Sequence, residues 1–147
     1  MISLKKVIAF LRGGSSEFND PEMLLQATLD SLPKVEAEIL AKQIEAVSIV
    51  QRQHPGRLVV AYYPKIINVP QLPYLGYEYC ISKVTHKSAG KIKTTNLVLH
   101  EGRFMTFEGN VPLKEDKIES IVKVVPHPSD YNQVAEKIDT EEHGTNA

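Results

Sequence analysis

Three sets of side chains in this sequence could do chemistry: five histidines, a single cysteine and a group of tyrosines. The histidines are His54, His86, His100, His127 and His143. A metal site needs ligands that converge, as two histidines four apart on a helix do. No two of these are so spaced, and no His-x-His occurs. His54, His86 and His100 each fall at an expected turn or strand end, where solvent-exposed histidines collect. With Cys80 alone, the chain can form no internal disulfide and no multi-cysteine zinc site. A nucleophilic thiol needs a helix N-terminus or a neighbouring base to lower its pKa. Cys80 instead lies within an expected strand, among apolar and aromatic neighbours, and reads as a buried structural thiol. Glu101 and Glu108 stand at opposite ends of one expected strand, too far apart to act as an acid–base pair. Glu115, Asp116 and Glu119 suit the start of a helix, where acids favour the dipole. No serine has a nucleophile-elbow context, and Gly13-Gly14-Ser15-Ser16 lacks the spacing of a phosphate loop. These residues name no catalytic group, no metal ligand and no cofactor.

The tyrosines are more suggestive. Tyr62, Tyr63, Tyr74, Tyr77 and Tyr79 fall within eighteen residues, with Pro64, Pro70 and Pro73 among them. Tyrosine combines a large apolar area with one polar handle, which suits interfaces and ligand grooves. Alternate tyrosines in strands also serve as sheet packing. The five are therefore the candidate interface or pocket, with packing as the competing role. Lys83, His86, Lys87, Lys91 and Lys93 make a local basic patch. Three expected helices before a hairpin are similar to a winged-helix order. The third helix, however, carries Glu36, Glu38 and Glu45 on its polar face, which would repel phosphates, so nucleic-acid binding is not expected.

The elements that must position these residues are read from pattern. Leu97-Val98-Leu99 and Phe104-Met105-Thr106-Phe107 flank Glu101-Gly102, a hairpin signal, since glycine tolerates the positive φ of a tight turn. With a two-residue loop, Leu99 faces Phe104 and Val98 faces Met105; with a bulge at Gly102, Val98 faces Phe104. Either register leaves both faces apolar, so the hairpin needs cover from helices or a partner chain. Leu4, Val7, Ile8 and Leu11 predict a first short helix over 2–12. Asp20-Pro21-Glu22 starts a second, which buries Met23, Leu24, Ala27 and Leu29. Pro33 opens a third and longest helix to about Gln53, with a stripe of Val35, Ile39, Leu40, Ile44, Val47 and Val50, and His54-Pro55-Gly56 stops it. Strands follow at Leu58–Tyr63, Tyr77–Thr85, Lys91–Leu99 and Arg103–Glu108. An irregular segment spans Pro64–Gly76, and a turn spans His86–Gly90. Residues 116–125 are ambiguous between helix and strand, with a fifth strand favoured over Ile121–Val125. Ser129 caps a short helix to about Ile138.

The chain of 147 residues, 42% hydrophobic and 24% charged with net charge −1, fits one domain with a real core. The expected organisation is a single α+β domain over 1–138, with N-terminal helices packed on one face of a mostly antiparallel sheet of four to five strands. Residues 139–147 read as a disordered tail. The run Val7 to Leu11 is too short for a signal-peptide core and ends at Arg12, and no stretch approaches the roughly 20 apolar residues of a membrane span. A soluble, cytoplasmic protein with no membrane partner is expected.

Ile39, Leu40, Gln43, Val47 and Arg52, then Gly56, Gly76, Leu97-Val98-Leu99, Gly102-Arg103 and Phe107-Glu108-Gly109 form a pattern over about residues 35–112. It resembles a group of small bacterial proteins whose ending has the form "dGrl..lEgy". The chain departs from that group in lacking tryptophan. The resemblance implies a helix followed by an antiparallel sheet and implies no reaction. The functional expectation is a non-enzymatic module of accessory or immunity-like type that binds a protein partner, with a homodimer as a natural way to cover an open sheet face. The alternative is a small-ligand or enzymatic pocket between the long helix and the sheet, lined by Tyr62, Tyr79 and the Pro64–Gly76 loop.

Overall fold

The computed structural model describes residues 22–53, 58–64, 68–74, 78–109 and 117–132. The expected helix over 2–12, Tyr77, and the expected tail over 139–147 lie outside the described residues. The order is α1 (Glu22–Ser31), α2 (Lys34–Ala46), β1 (Ile49–Gln53), β2 (Leu58–Tyr62), β3 (Glu78–Ser88), β4 (Lys91–His100), β5 (Arg103–Gly109) and β6 (Ile118–Pro126). The α+β class and the antiparallel sheet are as expected. All six strands join one sheet in the order β1-β2-β5-β4-β3-β6, every pair antiparallel.

The sheet exceeds the expected four to five strands because the third helix ends early. It stops at Ala46, and Val47 turns extended (ψ 127). Residues 49–53 then pair with β2, Ile49 opposite Tyr62 through Gln53 opposite Leu58. Val47 and Val50 continue the helical spacing of Ile44, so periodicity alone cannot separate the two states. The β-branched run and a long-range partner decide for the strand. Ser48 begins the pairing, its backbone N–H and its hydroxyl both donating to the carbonyl of Tyr62 at 2.9 and 3.1 Å.

Both helices lie on one face of the sheet, α1 against β6 and β3, α2 against β5. Leu24, Leu25, Leu40, Val84, Leu97, Leu99, Phe104 and Phe107 form the centre of the core between the layers. Met23 and Val35, expected to be buried, are 41% and 68% exposed, while Thr28 and Gln43 are fully buried in their place. The Thr28 hydroxyl donates back to the Leu24 carbonyl at 2.9 Å, so the Ser82 hydroxyl 2.6 Å away must donate to it, tying α1 to β3.

Two hairpins set the sheet register. Glu101 and Gly102 both take positive φ (50 and 75), with His100 paired to Arg103, so of the two expected registers the loop takes the two-residue one. Ala89 and Gly90 do the same (φ 50 and 74), so the expected five-residue turn shrinks to two and β3 runs on through His86 to Ser88. A bulge between Val98 and Leu99 places Val98 opposite Thr106 rather than Met105. It carries Phe107 to the helix-covered face, where its ring meets Phe104 edge-on at 5.1 Å. A second bulge beside Ile81 leaves Cys80, Ile81 and Ser82 all buried in succession. The ambiguous segment is a strand longer than expected, and it pairs with β3. A helical turn begins at Ser129. Asn132 there bonds both backbone groups of Cys80, accepting its N–H at 3.0 Å and donating to its carbonyl at 3.1 Å. The chain after β6 thus continues the edge of β3 beyond the β3–β6 pairing. No described helix is long and apolar enough to cross a membrane.

Candidate functional site

The tyrosines divide between two places. Tyr74 and Tyr79 stack face to face, centroids 4.1 Å apart and planes within 3°. Pro126 ends β6, and His127 then turns with φ 49, its N–H donating to the Ile81 carbonyl at 2.8 Å. That turn delivers the imidazole to the stacked pair. The Tyr79 hydroxyl lies 2.8 Å from His127 Nδ1, and His127 Nε2 lies 2.8 Å from Glu36 Oε2. The Tyr74 hydroxyl donates to Glu36 Oε1 at 2.6 Å. The one neutral arrangement that satisfies all three bonds has Tyr79 donating to Nδ1 and Nε2–H donating to the carboxylate. Burial first, then the bond to Glu36, raise the Tyr74 hydroxyl well above its ordinary pKa, so it stays a donor. A Glu–His–Tyr chain has the components of a general-base relay. Here every member is spent on another, and neither hollow described below touches them. The four residues fasten α2, the proline segment, β3 and the chain after β6.

Tyr62 and Tyr63 occupy a different corner, at the end of β2 beside the β4–β5 turn. Tyr62 is 40% exposed and, with Ile49, Gln51 and Tyr63, lines a shallow hollow. The Tyr63 hydroxyl donates to the Phe104 carbonyl at 2.6 Å, which fixes its ring, and burial raises its pKa. The Arg103 guanidinium lies over that ring, 5.4 Å from the centroid. Tyr63 also forms the wall of a second cleft of about 160 Å³, lined with Gln71, His100, Glu101, Arg103 and Met105. The two hollows share Tyr63. The expected tyrosine patch is thus represented by Tyr62 and Tyr63, with Arg103 as a member that sequence reasoning missed; its place one residue after the turn glycine was the available signal.

Within the Pro64–Gly76 segment, of which residues 68–74 and Pro64 are described, Leu72 is the buried anchor. Leu72 is fully buried, and its N–H donates to the Gly102 carbonyl at 2.8 Å. Gln43 donates to the carbonyls of Pro70 and Gly102 at 2.8 and 2.9 Å and accepts the Phe104 N–H at 3.0 Å. Leu40, Gln43 and Leu72, all fully buried, lie between α2 and the sheet.

His86, expected to be exposed at a turn, is fully buried within β3, bonded through Nε2 to the Thr95 hydroxyl at 2.9 Å and through Nδ1 to Ser88 at 3.2 Å. The continuation of β3 past the expected turn is the reason. Burial first and the Lys93 charge second lower its pKa below the ordinary 6.5. The unfolded chain therefore binds this proton more tightly than the folded one. The stability owed to neutral His86 is complete above pH 6.5 and declines as the pH falls from there through the folded pKa. Thermal melts from pH 8 to 5 should show that decline, and His86→Gln should flatten it; an unchanged slope in the variant would assign it to other groups. Cys80 is buried as expected, and burial pushes its thiol up to about 12, away from nucleophilic use. Among the described residues no three of His, Cys, Asp and Glu converge on a metal position.

No family model matches the chain, and no curated protein or solved structure matches it.

Proposed function

We propose that the protein is a non-enzymatic binding module that docks a protein partner on the corner formed by Tyr62, Tyr63 and Arg103. The observation that carries this reading is the exposure of Tyr62 beside two hollows that share the fixed ring of Tyr63. Tyrosine and arginine dominate binding hot spots because they offer contact area and donors at small entropic cost. The burial of Leu40, Gln43 and Leu72 between α2 and the sheet favours this reading over a small-ligand pocket there. An accessory or immunity-like role, in a cytoplasmic setting that suits a lone buried thiol, is the wider class.

The test is a pull-down of the tagged chain from a lysate of its source, read by mass spectrometry, beside Tyr62→Ala. Because Tyr62 is substantially exposed, the variant should melt within a few degrees of the wild type. A stoichiometric protein that the wild type retains should fall about tenfold or more on the variant. Equal retention by the variant, or recovery of the bait alone, would contradict the reading.

A further inference from the structure

β6 is an outer strand of the sheet, and its ladder with β3 is interrupted twice. The register shifts between Thr85 and His86 and again between Lys87 and Ser88, which leaves Val122 and Glu119 without a partner on β3. Glu119, Ser120, Val122 and Lys123 are all exposed, so this stretch adds little to the core. His86 lies directly beside it. Ile121 of β6 stands opposite His86 on one side, and Lys93 of β4 stands opposite it on the other. Among the described histidines His86 alone is fully buried, with its ring nitrogens bonded to Thr95 and Ser88. The interrupted ladder therefore flanks the one buried imidazole.

We propose that residues 118–123 form an acid-released edge: protonation of His86 detaches them from β3 while the rest of the sheet stays folded. A neutral imidazole suits the site, one nitrogen donating to a hydroxyl and the other accepting from one. A second proton sets a cation in a fully buried position, directly across from Lys93, itself only 9% exposed. Of the described charges, Lys93 is the one that bears on the ring. On β6, Glu119 accepts the Gly90 N–H at 3.1 Å, and Lys123 stands opposite Thr85, on the other face of β3. α1 carries Glu22 and Asp30, both exposed, and Asp30 accepts from Gln26 at 2.9 Å. Detaching this stretch lets water reach the imidazolium and gives up only the interrupted ladder and the core contacts of Ile118 and Ile121. β4 cannot yield in the same way, because it is paired on both sides, to β3 and to β5.

Hydrogen exchange of the full chain, followed by NMR and read as amide protection from pH 8 to 5, tests the release. The detached state takes up its proton at the ordinary 6.5, whereas the closed state holds it less tightly. As the pH falls from 6.5, the amides that join β6 to β3 should therefore lose protection, by up to about tenfold for each pH unit. The β4–β5 amides should keep theirs over the same range. His86→Gln, which leaves a donor and an acceptor in place, should hold the β6 amides protected down to pH 5. Equal losses in both ladders would mean that the whole domain opens and would overturn the proposal. Unchanged protection at β6 would also overturn it, as would a pH dependence that survives in His86→Gln. If that variant does not fold, the contrast between the two ladders of the wild type decides alone.

Discussion

Phe104→Ala is expected to destabilise the protein by about 4 kcal/mol, against a total of about 5–15 for domains of this kind. Phe104 is fully buried, and its ring meets Phe107 edge-on at 5.1 Å. Its backbone is held on both sides, the N–H by Gln43 and the carbonyl by the Tyr63 hydroxyl. Those bonds hinder the collapse that would fill the cavity, which places the cost toward the upper part of the usual range. Met105→Ala is the control. Met105 is the residue left over at the bulge and is only half buried, so its loss should cost about 1 kcal/mol. Urea unfolding of the two variants checks this directly. Equal midpoints for both would mean that the hairpin is not seated on the helices as described.

Gln43→Leu should cost about 3 kcal/mol although it conserves volume and increases apolar character. A leucine removes the Gln43 acceptor of the Phe104 N–H and the donor to the carbonyls of Pro70 and Gly102. The Gly102 carbonyl keeps its bond from Leu72, so the loss there is partial. Amide exchange gives a second readout: the Phe104 N–H should exchange far faster in the variant, while the β3–β4 pairs beyond His86 keep their relative protection. A neutral or stabilising result would mean that Gln43 serves no clamp between α2, the proline segment and the β4–β5 turn.

What could be read from the sequence and what could not follow the range of the interactions involved. The Glu101-Gly102 turn, the start of α2 at Pro33 and the buried thiol of Cys80 depend on near neighbours, and local pattern was enough to place them. Val47 and Val50 fit both periods, so the helical stripe runs on into β1, and only pairing with β2 separates the two. The bulge between Val98 and Leu99 moved Phe107 to the other face, and no local residue announces it. The expected turn over His86–Gly90 includes His86, whereas its burial depends on Thr95 across the strand. Gln43 did leave a trace. It lies three residues after Leu40 and next to Ile44, a polar side chain on an apolar stripe, and such a residue implies a buried bonding role. The tyrosines were legible as a group but not as a geometry. The chain ties Tyr74 and Tyr79 to His127 and Glu36, and sets Tyr62 and Tyr63 beside an arginine 40 residues later in the sequence.

The most direct test of the central claim is light scattering of the purified chain, alone and mixed with the protein it captures, for wild type and Tyr62→Ala. The account predicts a defined complex for the wild type and separate components for the variant. A wild-type chain that elutes as a homodimer with no further partner, unchanged by Tyr62→Ala, would contradict it.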